Sequence, residues 1–286
     1  MEIVTKIAPI ALALMMLGLG TSLTINDFTR VIKRPKDFLI GLICQLILLP
    51  IIAFILIKLL NTPDELALGV MIIAAAPGGV TSNIYTKFAN GDVALSISLT
   101  AIISLISIIS LPFIVFKSAE ILQVSFSVKN ISIVGISIKM FFVVTVPVII
   151  GMIIRYFLND FIISKSSLIT KASVVLFILI FISIYLSEWE KIIPFLLQGG
   201  VVAAALNITM MIVGFYIAKI FATGIAQQKC ISLECGLQNG TLAVFIATQL
   251  NYEVDVLNPL IVPTAAYALV MMITSLVFLF IVKKNN

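Results

Sequence analysis

The residues of this chain best suited to chemistry lie inside an apolar run. The segment ISLECGLQNGTLAVF, Ile231 to Phe245, carries Glu234, and Gln238 and Asn239 follow within five residues, with Gly236 and Gly240 alongside. A carboxylate near the centre of a bilayer costs about 2.5–3.5 kcal/mol on insertion scales, so it persists only where something offsets that cost. No Lys or Arg is placed to pair with Glu234. Its partner is then either a proton, which leaves it neutral, or a bound cation. On an unbroken helix Glu234 and Gln238 share one face at i and i+4. The two glycines instead favour a local break that exposes carbonyl oxygens.

A counterpart stands earlier, in AAAPGGVTSNIYTKF, Ala74 to Phe88. Here Pro77, Gly78 and Gly79 interrupt a helix, and Thr81, Ser82 and Asn83 follow at once. Gly and Pro are common in membrane helices, and Ser, Thr and Asn serve there as interhelical glue, so either segment alone is equally consistent with packing. Two such helices in one chain, one with a buried acid, point to the binding site of a secondary transporter. Unwound backbone at membrane depth is tolerated where it is buried in protein or lines a cavity. Its carbonyls and hydroxyls are hard oxygen ligands suited to Na⁺, and the half-helix ends can meet an anionic solute.

The elements that must hold these segments are apolar throughout. Of 286 residues 61% are hydrophobic and 11% charged, with a mean hydropathy of +1.23. Soluble domains run at about 25% charged and 45–50% apolar. The chain is therefore read as an all-α polytopic membrane protein; a cytosolic enzyme and a disordered chain are both excluded. The absence of histidine removes His-based metal sites and triads. Cys44, Cys230 and Cys235 sit in or beside apolar stretches without CxxC spacing and read as small apolar residues. The net charge of +5 comes with no basic run beyond Arg30, Lys33, Arg34 and Lys36, so nucleic acid is not an expected partner.

Apolar runs bounded by charge, Pro or Gly predict nine helices: about Ile7–Ile25, Asp37–Leu60, Leu66–Asn90, Asp92–Phe116, Lys139–Leu158, Leu168–Ser187, Ile192–Phe221, Gln227–Leu250 and Pro259–Val282. Val128–Ile138 either lengthens the fifth or lies at the interface. The first segment lacks a basic n-region and a small-residue cleavage site, so it reads as a helix rather than a signal peptide. With nine spans, twelve basic residues fall on one side and six on the other, which predicts an outer amino terminus and a cytoplasmic carboxyl terminus. Every charged residue but Glu234 then sits at a span end or in a loop. The third and eighth spans run antiparallel, as an inverted repeat requires. Trp189 and Tyr185 near an outer helix end fit an interfacial aromatic belt. Pro50, Pro112 and Pro147 read as kinks.

The chain resembles the bile acid:sodium symporter (BASS) family through five blocks in order: MLGLGTSLTINDF (Met16–Phe28), QLILLP (Gln45–Pro50), APGGVTSN (Ala76–Asn83), GDVALSISLT (Gly91–Thr100) and ECGLQNGTLA (Glu234–Ala243). The resemblance implies two crossed discontinuous helices, the third and eighth, in a core domain (approximately 37–117 and 191–286). A panel domain (approximately 1–30 and 128–190) would move against it. It implies two sodium ions: one at Ser82, Asn83, Ser96, Thr100 and Glu234, the other at Gln45, Glu234, Gln238 and the carbonyls of Cys235 and Leu237. The i, i+4 spacing of Ser96 and Thr100 puts both hydroxyls on one face, although alone such a pair more often back-bonds to its own helix. Bacterial members of the family commonly carry an extra amino-terminal helix; here the helix that carries the MLGLG segment starts almost at residue 1, and nine spans are expected.

The expected function is sodium-coupled uptake of an organic anion, bile-acid-like or a small carboxylate such as pantoate, by alternating access. Asn239, Gly240 and Thr81 are the expected substrate contacts. A bacterial cytoplasmic membrane is the expected location, and no obligate protein partner is expected. A proton-coupled carrier using Glu234 as its titrating carboxyl, or an exporter of the same superfamily, is the alternative. No nucleophile–base pair or metal constellation is visible, which argues against an intramembrane enzyme.

Overall fold

The computed structural model describes residues 2–33, 35–126, 131–250 and 259–284, and every regular element among them is helical. In chain order the helices are α1 (Glu2–Ser22), α2 (Ile25–Lys33), α3 (Pro35–Ile43), α4 (Leu49–Leu59), α5 (Asp64–Ala75), α6 (Val80–Phe88), α7 (Val93–Leu122), α8 (Ile133–Met140), α9 (Val146–Phe157), α10 (Asn159–Phe221), α11 (Ile225–Gly236), α12 (Gly240–Leu250) and α13 (Ile261–Lys284). Among the described residues six stretches are long and apolar enough to cross a membrane: Pro35–Leu59, Val93–Leu122, Ile133–Phe157, Asn159–Leu186, Gly199–Phe221 and Ile261–Val282. The chain is a polytopic membrane protein.

Proline chemistry explains where helices widen or stop. A widened turn, Cys44–Leu48, joins α3 to α4, and a second, Phe141–Thr145, joins α8 to α9. Each is followed closely by a proline, Pro50 or Pro147, whose missing N–H cannot close the ladder. These two residues thus accompany a local change of helix type, which sharpens the reading of them as kinks. The α5 helix ends at Ala75 because Pro77 forces Ala76 extended, at ψ 148°. Asp92 caps α7 through the Leu95 amide (3.0 Å), and Ser132 caps α8 through Gly135 (3.0 Å). From Ile133 onward the ambiguous stretch lengthens the fifth span; Lys129, Arg34 and the side chain of Trp189 lie outside the described residues.

The predicted third and eighth spans are the broken pairs α5/α6 and α11/α12. An element not expected is α2, which fills the region read as a basic connection. Its apolar Phe28 and Val31 pack on the core, a 3.6-residue face hidden among the charges. The α1 helix packs on α9 and α10. A Cβ on Gly151 would lie 2.8 Å from the Thr21 amide, so α1 and α9 meet backbone to backbone.

Two charged residues assigned to span ends are buried. Asp37 accepts bonds from the Thr223 amide (2.8 Å) and hydroxyl (2.6 Å). Lys229, one turn into α11, is 2% exposed. Glu234 is therefore not the sole buried charge. The sequence hid this because both residues flank apolar runs, where solvent is the default expectation.

Candidate functional site

The two helix breaks meet in the middle of the molecule. The Gly79 amide donates to the Leu237 carbonyl (2.9 Å), and the Asn239 amide donates to the Pro77 carbonyl (2.8 Å). Gly78 and Gln238 thereby pair as an antiparallel bridge between extended segments. The amino ends of α6 and α12 and the carboxyl ends of α5 and α11 converge there, so four helix-end partial charges surround one point. Gly78 lets the acid approach: a Cβ there would lie 2.5 Å from Glu234 Oε2, and the carboxylate would have to shift.

Glu234 occupies the last turn of α11 and is fully buried. Its Oε1 accepts from Ser82 Oγ (2.5 Å), from Ser96 Oγ and from Thr100 Oγ1 (3.3 Å). Its Oε2 accepts from Thr100 Oγ1 (3.1 Å) and from Gln45 Nε2 (3.2 Å). Asn83 Oδ1 accepts from Ser96 Oγ (2.8 Å). The five residues of the first expected set are thus gathered from α6, α7 and α11. Ser96 and Thr100 do share a face of α7, and they turn it toward the acid.

Of the second set, Gln45 meets the same carboxylate, and Gln238 meets the backbone at the end of α11. Gln45 reaches the acid from the widened turn, where the altered helical pitch re-aims the side chain. Gln238 Nε2 donates to the carbonyls of Glu234 (3.1 Å) and Cys235 (2.9 Å). The Leu237 carbonyl is engaged by the Gly79 amide, part of the bridge between the breaks.

Hydrogens are scarce in this cluster. Ser82 Oγ lies within bonding distance of the Gly79 carbonyl (2.7 Å), Glu234 Oε1 and Thr100 Oγ1 (3.4 Å), yet a hydroxyl has one hydrogen. Ser96 Oγ likewise faces two acceptors. Gln45 Oε1 and Gln238 Oε1 are buried without a donor. Flipping the Gln238 amide would turn its oxygen onto two carbonyls, and flipping Gln45 would set its oxygen against the carboxylate. Buried acceptors without donors are costly unless a cation takes the lone pairs. No group of three or more Cys, Asp and Glu suited to a metal occurs among the described residues. The donor set is one acid with hydroxyl, amide and carbonyl oxygens, which suits a hard monovalent ion.

On the other side of the bridge, Thr81, Asn239 and Gly240 line a pocket with room for about one water. Asn239 Oδ1 caps α12 through the Leu242 amide (3.0 Å), and the Gly240 amide bonds to the Gln238 carbonyl (3.0 Å). Neither group is free in this conformation. Phe177 lines the pocket too, and Phe181 stacks against it, 4.7 Å between ring centroids; a Cβ on Gly240 would lie 2.8 Å from the Phe181 ring. Sequence reasoning missed both rings. The signal was available in the i, i+4, i+8 stripe of Ser173, Phe177 and Phe181, which faces one way on a helix.

Comparison with known proteins bears on this geometry. The sequence profile described as the Sodium Bile acid symporter family matches residues 9–195. The chain belongs to that family. An uncharacterized sodium-dependent transporter of Bacillus subtilis is 31% identical over 84% of this chain and 73% of its own length. A probable chloroplast sodium/metabolite cotransporter of Arabidopsis thaliana is 30% identical over 84% of this chain, which spans 58% of that protein. The human ileal sodium/bile acid cotransporter is 29% identical over 97% of this chain and 78% of its own length. An alignment of that extent takes in Glu234 and the second break as well as the first. The family is one of transporters, not enzymes.

Proposed function

We propose that this chain is a sodium-coupled symporter that takes up an organic anion by alternating access. The observation that carries the reading is Glu234, fully buried and surrounded by hydroxyl and amide groups, with two orphaned amide oxygens beside it. A proton on Glu234 would neutralise the acid but supply one hydrogen, too few for both amide oxygens. Sodium satisfies oxygens on all sides, which favours it over the proton-coupled alternative. The B. subtilis, Arabidopsis and human relatives are all named for sodium-dependent transport or cotransport, and this supports the choice of ion.

Two ions are proposed, one held by Ser82, Asn83, Ser96, Thr100 and Glu234, the other by Gln45, Glu234, Gln238 and the carbonyls of Cys235 and Leu237. Both are cargo. Two Na⁺ with a monoanion move one net charge, worth about 2.3 kcal/mol per 100 mV of membrane potential. The anion, bile-acid-like or a smaller carboxylate such as pantoate, would meet the amino ends of α6 and α12 with Thr81, Asn239 and Gly240. Sodium and anion then stabilise the same bridged arrangement and raise each other's affinity by one factor.

The moving parts are the panel (approximately 1–30 and 128–190) and the core (approximately 37–117 and 191–286). The close packing of α1 on α9, both within the panel, supports that division. The chain is placed in a bacterial cytoplasmic membrane with the nine spans given by its apolar runs, and on that count the distribution of basic residues puts the amino terminus outside.

The test is thermal stability of the purified protein with a panel of organic anions, in sodium against potassium. Ligands of the folded form raise the melting temperature with concentration. The reading requires an anion whose stabilisation appears in sodium and vanishes in potassium. Stabilisation that ignores the ion and follows pH would replace it with the proton carrier.

A further inference from the structure

The last carbonyl of α11 is held in an unusual way. Gly236 O accepts from Asn207 Nδ2 (2.6 Å) and from Tyr267 Oη (3.0 Å). Asn207 belongs to α10 and Tyr267 to α13, and both are fully buried. Asn207 is itself fixed, since its Oδ1 accepts from Thr274 Oγ1 (2.6 Å). The Gly236 carbonyl, which can only accept, settles which way the amide points. A buried helix end must place its final carbonyls somewhere. Here each has a partner: Leu233 O takes the Leu237 amide (2.9 Å), the Glu234 and Cys235 carbonyls take Gln238 Nε2, Gly236 O takes Asn207 and Tyr267, and Leu237 O takes the Gly79 amide.

These partners divide into two groups. The carbonyls of Glu234 and Cys235 are met by a side chain that also carries an orphaned oxygen, Gln238 Oε1. The Gly236 carbonyl between them and the break is drawn toward two donors from other helices. We propose that Asn207, Thr274 and Tyr267 are positioning residues for the second sodium ion. They rotate the Gly236 peptide away from the cluster and hold the end of α11 at the pitch that leaves the Glu234 and Cys235 carbonyls facing the Gln238 amide. The inference rests on the sodium reading above and adds to it residues that touch no ion. It also ties ion affinity to the packing of α10 and α13, since a shift of either pulls on the same carbonyl. Gly236 fits this arrangement, because a Cβ there would lie 2.9 Å from Met211 Sδ on α10.

The test uses the purified full chain and sodium chloride, titrated at constant ionic strength against potassium chloride, with melting temperature and direct calorimetric binding as readouts. Asn207→Leu removes both of its hydrogen bonds, and Tyr267→Phe removes one donor while keeping the ring. Asn207→Leu should raise the half-saturating sodium concentration about tenfold, the scale of one lost buried hydrogen bond, and bring the titration toward single-site form. Tyr267→Phe should shift it about threefold. A role confined to packing would lower the melting temperature in potassium and leave the half-saturation unmoved, which overturns the proposal. Because Asn207→Leu risks misfolding, Tyr267→Phe and Thr274→Val test the same point in milder form. Sodium dependence in the natural chain that survives intact in these variants overturns the clamp alone; a natural chain indifferent to sodium overturns the reading beneath it.

Discussion

The two helix breaks reach the same geometry by different means. The first, Ala76–Gly79, is favoured by covalent structure in addition to the bridging bonds: Pro77 has no N–H to give, and the residue before it is pushed extended. The second break, Leu237–Asn239, has no proline. It is held by side chains, with Asn207 and Tyr267 on Gly236, Gln238 on the two carbonyls before it, and Asn239 capping the helix that follows. The acid at the crossing also lies beside the second break, although the three hydroxyls bonded to it come from α6 and α7. A break imposed by proline costs little to maintain in any state. One made of hydrogen bonds can respond to what occupies it, so on the sodium reading proposed above the second break is the one expected to respond to the ion and the first to serve as the frame.

The largest effect expected from this asymmetry is loss of the acid. Glu234→Gln keeps the shape but removes the charge shared by both proposed ions, and sodium-driven uptake into proteoliposomes should fall by about a hundredfold or more, the scale of an unpaired buried charge. Next comes Gly78→Ala, whose Cβ would press on Glu234 Oε2 from the rigid side. Overpacking of this kind costs about 1–3 kcal/mol, and a sodium half-saturation raised roughly tenfold to a hundredfold, read by calorimetry, is the expected outcome. Ser96→Ala and Thr100→Val each delete one hydroxyl; each should weaken sodium about tenfold, consistent with about 1.5 kcal/mol for a hydrogen bond to a charged group. The smallest effect is expected for Pro77→Ala, because the bridging bonds of Gly79 and Asn239 still hold the strands together. Its sodium half-saturation should shift by less than about threefold, a difference under 1 kcal/mol. If Pro77→Ala proves as damaging as Asn207→Leu, the contrast between the two breaks is wrong.

Much of this was legible in residue types. Pro77-Gly78-Gly79 and Gly236 to Gly240 mark breaks by backbone chemistry that any context would respect, and an acid inside an apolar run is conspicuous by its cost. The grouping of Ser82, Asn83, Ser96, Thr100 and Glu234 came from family resemblance, and periodicity supported only the Ser96 and Thr100 pair. What could not be read were contacts between distant spans. Asn207 and Thr274 look like ordinary polar residues in apolar helices until they are seen to bond each other across 67 positions of chain. Burial of Asp37 and Lys229 was hidden for the same reason, since charge at the edge of an apolar run is ordinarily solvated. The amphipathic α2 was masked by the basic residues beside it.

The central claim is that Glu234 holds sodium. Equilibrium binding of sodium to the purified chain and to Glu234→Gln, with potassium as the balancing cation and no anion present, tests it most directly. Saturable binding in the natural chain and its loss in the variant are the expected results. Equal sodium binding by both proteins would contradict the claim.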